Sequence, residues 1–170
     1  MKITIQDFTL SLLLSMFGFA SIGQQTLPEV TVVSANYKYL KSVDDTNSYQ
    51  PVRLLEHRAA SYELKNTDFY EEDYENYFIS YYIPNGQILA FYDNNGKILH
   101  TAEKYKNVAL PKSVIQAVAS RFPGWTVSKD VYLVSYISEK SAAKKEYKLL
   151  LENGKKRLRV KTNDKGDFLE

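Results

Sequence analysis

The clearest pattern of apolar and polar positions lies at Leu110–Trp125, LPKSVIQAVASRFPGW. Val114, Ile115, Val118 and Phe122 fall at i, i+1, i+4 and i+8, which makes one apolar stripe at helical period. Lys112, Gln116, Ser120 and Arg121 take the other side. Pro111 suits a first helical turn, where its missing N–H is not needed, and Pro123-Gly124 ends the run. The pattern predicts an amphipathic helix over about 111–122, with a strand beginning near Trp125.

Elsewhere the period shortens to two. Tyr77–Ile83, Gln87–Tyr92 and Lys97–Glu103 read as strands around turns at Pro84-Asn85-Gly86 and Asp93-Asn94-Asn95-Gly96. Asn-Gly between apolar runs predicts a type I′ hairpin, whose two central residues need positive φ. After the helix, Thr126–Ile137, Tyr147–Leu151, Arg157–Thr162 and Asp167–Leu169 read as strands, with turns at 138–145, Asn153-Gly154 and Asn163–Gly166. Before Tyr77 the pattern is weaker. Val30, Val32, Tyr37 and Tyr39 alternate with polar neighbours, so 26–43 reads as one long strand. Residues 44–50 form a polar loop. In Pro51–Leu64, Val52, Leu55, Ala59 and Tyr62 sit at helical spacing, while an internal repeat favours at least partly extended chain there.

That repeat sets Tyr77, Asn85-Gly86 and Asp93-Asn94-Asn95-Gly96-Lys97-Ile98-Leu99 over Tyr147, Asn153-Gly154 and Asn163-Asp164-Lys165-Gly166-Asp167-Phe168-Leu169. Leu27-Pro28 and Leu110-Pro111 mark two candidate starts. A repeat of this length suggests duplication of a small α+β unit. The fold expected is α+β: duplicated antiparallel sheet units with one main amphipathic helix packed on a sheet face. Residues 24–109 and 110–170 are the two repeats of one globular unit.

The Leu-Pro start, the Phe-Pro-Gly-Trp exit, the Tyr-led strand YLVSY and the closing YKLLLENGKKRLRVKTNDKGDFL together resemble the PepSY-like domains. These are also described as β-lactamase-inhibitor-like and are common among exported proteins of Bacteroidetes-type bacteria. The resemblance covers Leu110–Leu169 well, Tyr77–Glu103 through the repeat, and earlier residues poorly. It implies an antiparallel sheet with a helix on one face, and a module that binds or inhibits other proteins.

Composition adds three points. Apolar residues make up 44% and charged residues 25%, a globular balance, and a net charge of +2 gives no ground for a nucleic-acid or membrane surface. Tyrosine is abundant, 14 residues against 8 Phe and one Trp, which suits half-buried strands and surfaces with one dry side. Lys2, the apolar run Phe8–Ile22 and Ser21-Ile22-Gly23 read as a cleavable signal peptide over 1–23, although Asp7 is unusual in one. The 15-residue run is short for a membrane span, so a periplasmic or secreted protein is expected, with no anchor after cleavage. There is no cysteine, hence no disulfide, no lipid-bearing Cys and no thiolate metal site.

Candidate chemistry is sparse. His57 and His100 have no metal-ligand spacing, and no local motif supports a triad of His100 with Ser80. The two Asp-rich turns lack the ligand set of a calcium loop and read as hairpin turns. No metal and no cofactor are expected. Charge is uneven: six acids against one lysine in 63–75, and ten bases against three acids in 140–165. Period two puts Arg157, Arg159 and Lys161 on one strand face, with Leu158 and Val160 on the other. The reading favoured is a non-enzymatic binding module. It would hold another exported or envelope protein through an open face carrying Tyr136, Tyr147, Arg157, Arg159 and Lys161. The alternatives are an envelope hydrolase using carboxylates such as Glu71, Asp73 or Asp93, or an accessory subunit of an envelope complex. A further option for the charges is that the acidic segment folds over the basic strand of its own molecule.

Overall fold

A computed structural model of the chain describes residues 36–43, 49–140 and 142–170. The expected signal peptide and Val30 and Val32 of the first expected strand lie outside the described residues. Three α-helices and seven strands are present among those described: α1 (Tyr37–Val43), α2 (Gln50–Ala60), β1 (Asn76–Ile83), β2 (Gly86–Asp93), β3 (Ile98–Lys106), α3 (Lys112–Arg121), β4 (Thr126–Ile137), β5 (Lys144–Asn153), β6 (Lys156–Thr162) and β7 (Phe168–Leu169). Each strand pairs antiparallel with the next, so the sheet runs β1 to β7 in chain order. The class is α+β.

Alternation of side chains splits the sheet into two faces. The inner face carries Tyr77 and Tyr81 of β1, Ile88, Ala90 and Tyr92 of β2, Tyr105 of β3, Tyr132, Val134 and Tyr136 of β4, and Tyr147, Leu149 and Leu151 of β5, all buried. Helix α2 packs against β1 and β2, and α1 against β4. One row of this face crosses the sheet through Tyr105, Tyr132, Tyr147, Thr162 and Phe168. Its rings stack, Tyr105 on Tyr132 at 6.0 Å and Tyr132 on Tyr147 at 4.5 Å between centroids. The abundant tyrosine is therefore largely core, where each ring adds apolar area and each hydroxyl can take a partner.

Helix α3 contributes Val114 and Val118 to the same core. It also meets the β6–β7 turn: Ser113 Oγ donates to the Asp164 carbonyl at 2.7 Å, and Phe122 sits edge-on to Phe168 at 5.6 Å. Gly166, at φ +91, lies so close to Ser113 and Ala117 that a Cβ would come within 2.7 Å of the Ser113 carbonyl oxygen.

Several expectations are corrected. The described part of the first expected strand, Tyr37–Val43, is a helix. Tyr37 and Tyr39 alternate, but Tyr39, Leu40 and Val43 also fall at i, i+1 and i+4, and it is these that are buried. Gln50–Ala60 is a helix with Pro51 in its first turn, so its apolar spacing outweighed the repeat, which had favoured extended chain. One main helix thus becomes three. The turns also differ in type. Ile83 faces Gly86, which makes Pro84-Asn85 the central pair, and neither has positive φ. At Asn153–Lys156 Gly154 alone has positive φ, +57°, the pattern of a type II′ turn. Asp93–Lys97 and Asn163–Asp167 are three-residue turns of one design. In each, the first side chain's Oδ1 accepts two backbone N–H groups, and a glycine with positive φ (Gly96, Gly166) closes the turn.

Candidate functional site

The chemistry of this chain divides between the two faces. On the inner face the ionisable groups are spent inside the core. Tyr39 Oη (2.9 Å) and Thr101 Oγ1 (2.8 Å) donate to Glu103 Oε1, and Tyr105 Oη donates to Oε2 at 2.8 Å. Burial pushes the Glu103 carboxyl above the ordinary carboxylate range, and the three hydroxyls pull it partly back. Burial, then Glu103 and Glu56, raise the Tyr39 and Tyr105 phenols. Tyr39, Glu56 and Glu103 are 1%, 1% and 3% exposed. The cluster ties α1 to β3 and is closed to a substrate. No local pattern marks it, because the contact between Tyr39 and Glu103 spans 64 positions.

The outer face follows from the strand register. Phe78, Phe91, His100 and Ile137 form one row, Ser80, Leu89, Ala102, Ser135 and Lys144 the next, then Tyr82, Gln87, Lys104, Leu133 and Glu146. Beyond these, Lys106, Val131, Lys148, Lys161 and Leu169 align, as do Lys129, Leu150 and Arg159. The β1–β2 end is aromatic and open: Phe78 is 70%, Tyr82 66% and Leu89 42% exposed. Phe78 and Phe91 touch at 4.6 Å between centroids.

The β4–β6 end is basic. A shallow depression of about 430 Å³ is lined by Lys129, Lys148, Arg159 and Lys161 around Val131 and Leu150. Lys148 and Lys161 are direct cross-strand partners, an arrangement that costs a sheet stability. The outer carboxylates of β5 are already engaged, Glu146 with Lys144 at 3.5 Å and Glu152 with Arg157 at 3.0 Å. Among the described residues, none of the four cations of the depression is in an ion pair.

The structure places Arg157, Arg159 and Lys161 together on this exposed face. It does not bring Tyr136 and Tyr147 there. They are 1% and 5% exposed on the inner face, because Tyr136 aligns with Thr101 and Tyr147 with Tyr132 and Thr162. Sequence reasoning missed Lys129 and Lys148, as well as the aromatic end. Their signal is the same alternation used for β6, applied to β1, β2, β4 and β5.

The carboxylates of the hydrolase alternative do not gather. Glu71 and Asp73 are exposed ahead of β1, and Asp93 holds the backbone of its own turn. Ser80 and His100 lie two strands apart and one row out of line, roughly 10 Å or more at ordinary strand spacing, too far to share a proton. No group of three or more metal-binding side chains occurs among the described residues. No helix among them is long and apolar enough to cross a membrane.

No protein-family model matches the chain. No curated protein matches it either. Comparison with solved structures finds similarity to a BLIP-like protein from Bacteroides fragilis, 18% identical with a TM-score of 0.33, over 59% of this chain and 69% of that one.

Proposed function

We propose that this chain is an exported, non-catalytic module that holds another protein on the outer face of its sheet. The observation that carries this reading is the make-up of that face: exposed aromatics at one end, and at the other four cations without ion pairs among the described residues, around an apolar floor. Binding surfaces combine an apolar or aromatic anchor with a charged rim in this way. The inner face, with its acids enclosed among tyrosines, supplies rigidity. Export through residues 1–23 and a place in the periplasm or outside the cell are part of the proposal. So is descent of β1–β3 and β5–β7 from one duplicated unit, with α3 laid on the sheet. The matching turns at Asp93–Lys97 and Asn163–Asp167 support that descent.

The test uses Arg159→Glu. Arg159 is exposed and lies across from Leu150, so reversing its charge leaves the core untouched. Capture of the partner from the cell-envelope extract of the native organism is expected to weaken about tenfold or more, equivalent to about 1.4 kcal/mol, with thermal unfolding nearly unchanged. Undiminished capture by this variant would remove the basic end from the binding face.

A further inference from the structure

The acidic stretch before β1 is a shaped surface. Tyr70 stacks on Tyr77 at 5.8 Å between centroids, and the Tyr77 hydroxyl accepts from Glu71 N at 2.8 Å and donates to the Glu71 carbonyl. Tyr70 Oη donates to the Asn94 carbonyl at 3.3 Å. These contacts hold the backbone, and the Phe69 and Tyr74 rings lie against Tyr77 at 6.4 and 6.1 Å between centroids. Phe69 and Tyr74 are 50% and 52% exposed, and Asp68, Glu71, Glu72, Asp73 and Glu75 are all exposed. The result is a preformed acidic ridge with two aromatic tips.

The basic depression on β4–β6 is its chemical complement: four cations without ion pairs among the described residues, around Val131 and Leu150. The two cannot meet within one molecule. The ridge is fixed to Tyr77 on the inner side of β1 and to the β2–β3 turn, while the depression opens on the outer face of β4–β6. Tyr77 on β1 lies three to five strand spacings from the depression, roughly 14–24 Å. Both surfaces are therefore presented at once, facing different ways.

From this we infer that the depression receives the Asp68–Glu75 ridge of a second copy of the chain. This deepens the proposed function, on which it rests, by naming an occupant for the basic end of the face. The two patches differ, so the contact is heterologous and head-to-tail, and copies add into rings or open chains instead of stopping at a two-fold dimer. The ridge is already ordered, so docking it costs less conformational entropy than ordering a free segment. Lys148 and Lys161, unfavourable neighbours in the lone molecule, would gain carboxylate partners across the contact.

Sedimentation of the full chain tests this, with two charge-reversed variants. One carries Glu71→Lys, Glu72→Lys and Asp73→Lys, which spoils the ridge; the other carries Lys148→Glu and Lys161→Glu, which spoils the depression. The wild type is expected to grow past dimer mass from micromolar to millimolar concentration. It should return to monomer near 1 M salt, where the Debye length is about 3 Å. Each variant alone should stay monomeric. An equimolar mixture should regain association, because it holds one intact ridge and one intact depression. Circular dichroism confirms that both variants are folded. A wild type that stays monomeric throughout overturns the inference, as does a mixture that does not pair. Neither result alters the Arg159→Glu capture experiment, so this inference and the proposed function fail separately.

Discussion

Three glycines separate two costs that are usually mixed. Gly154 has φ +57 and nothing within 4 Å of where a Cβ would sit, so Gly154→Ala carries the left-handed backbone penalty alone, about 1–2 kcal/mol. Gly86 has no positive φ, but its Cβ would fall 2.3 Å from Tyr105 Cδ1. Gly86→Ala must swing the Tyr105 ring and disturb its bond to Glu103, at about 1–3 kcal/mol for overpacking. Gly166 carries both burdens: φ +91, and a Cβ 2.7 Å from the Ser113 oxygen and 3.0 Å from Ala117 Cβ. The obstacle there is helix backbone, which cannot rotate aside, so α3 must lift from the β6–β7 turn. Gly166→Ala is expected to cost about 2–5 kcal/mol, the sum of the two terms. Urea unfolding at constant slope measures all three, and each kcal/mol should lower Tm by about 2–4 °C. If Gly166→Ala costs no more than Gly154→Ala, the close seating of α3 on that turn is wrong.

Three further outcomes are expected. Lys161→Glu turns a like-charge pair with Lys148 into an opposite one, so it should stabilise the fold by about 0.2–1 kcal/mol while weakening capture; a variant losing both stability and capture would point to a structural role for Lys161. Asn36 donates to the carbonyls of Ala60 and Gly96 and accepts from Ile98 N, all buried. Asn36→Ala should therefore cost at least about 2 kcal/mol in urea unfolding, and a loss within error would discount those bonds. Glu103 holds its proton more tightly folded than unfolded, so its contribution is greatest at low pH and is lost as pH rises from the ordinary carboxylate range through its raised folded value. Glu103→Gln removes this slope. Relative to wild type, its urea midpoint should improve as pH rises across that window, and a pH-independent difference would show that Glu103 titrates normally.

The strands were legible because their information is local. Alternation and turn residues place β1, β2, β4 and β6 within a residue of where they form, and helix α3 ends as Pro123-Gly124 indicates. What failed was the part decided by distant partners. Tyr37–Val43 satisfies strand and helix patterns at once, and the choice rests on Tyr39 reaching Glu103. The period of β6 alone puts Arg157, Arg159 and Lys161 on one common face. Tyr136 and Tyr147 fall on the opposite face because the phase of one strand against another is set by pairing, which no single strand reveals. Glu56 and Glu103 were unreadable for the same reason: each looks like a solvated surface residue until α1 and α2 cover the inner face of the sheet.

Lysine labelling of the captured complex tests the binding face most directly. Amine acetylation is read by mass spectrometry, residue by residue, with and without the partner bound. Lys129, Lys148 and Lys161 on the outer face are expected to lose reactivity in the complex, while Lys112 on α3 and Lys41 on α1 keep theirs. Protection of Lys112 and Lys41 with the outer-face lysines still reactive would place the partner on the helical side and contradict the account.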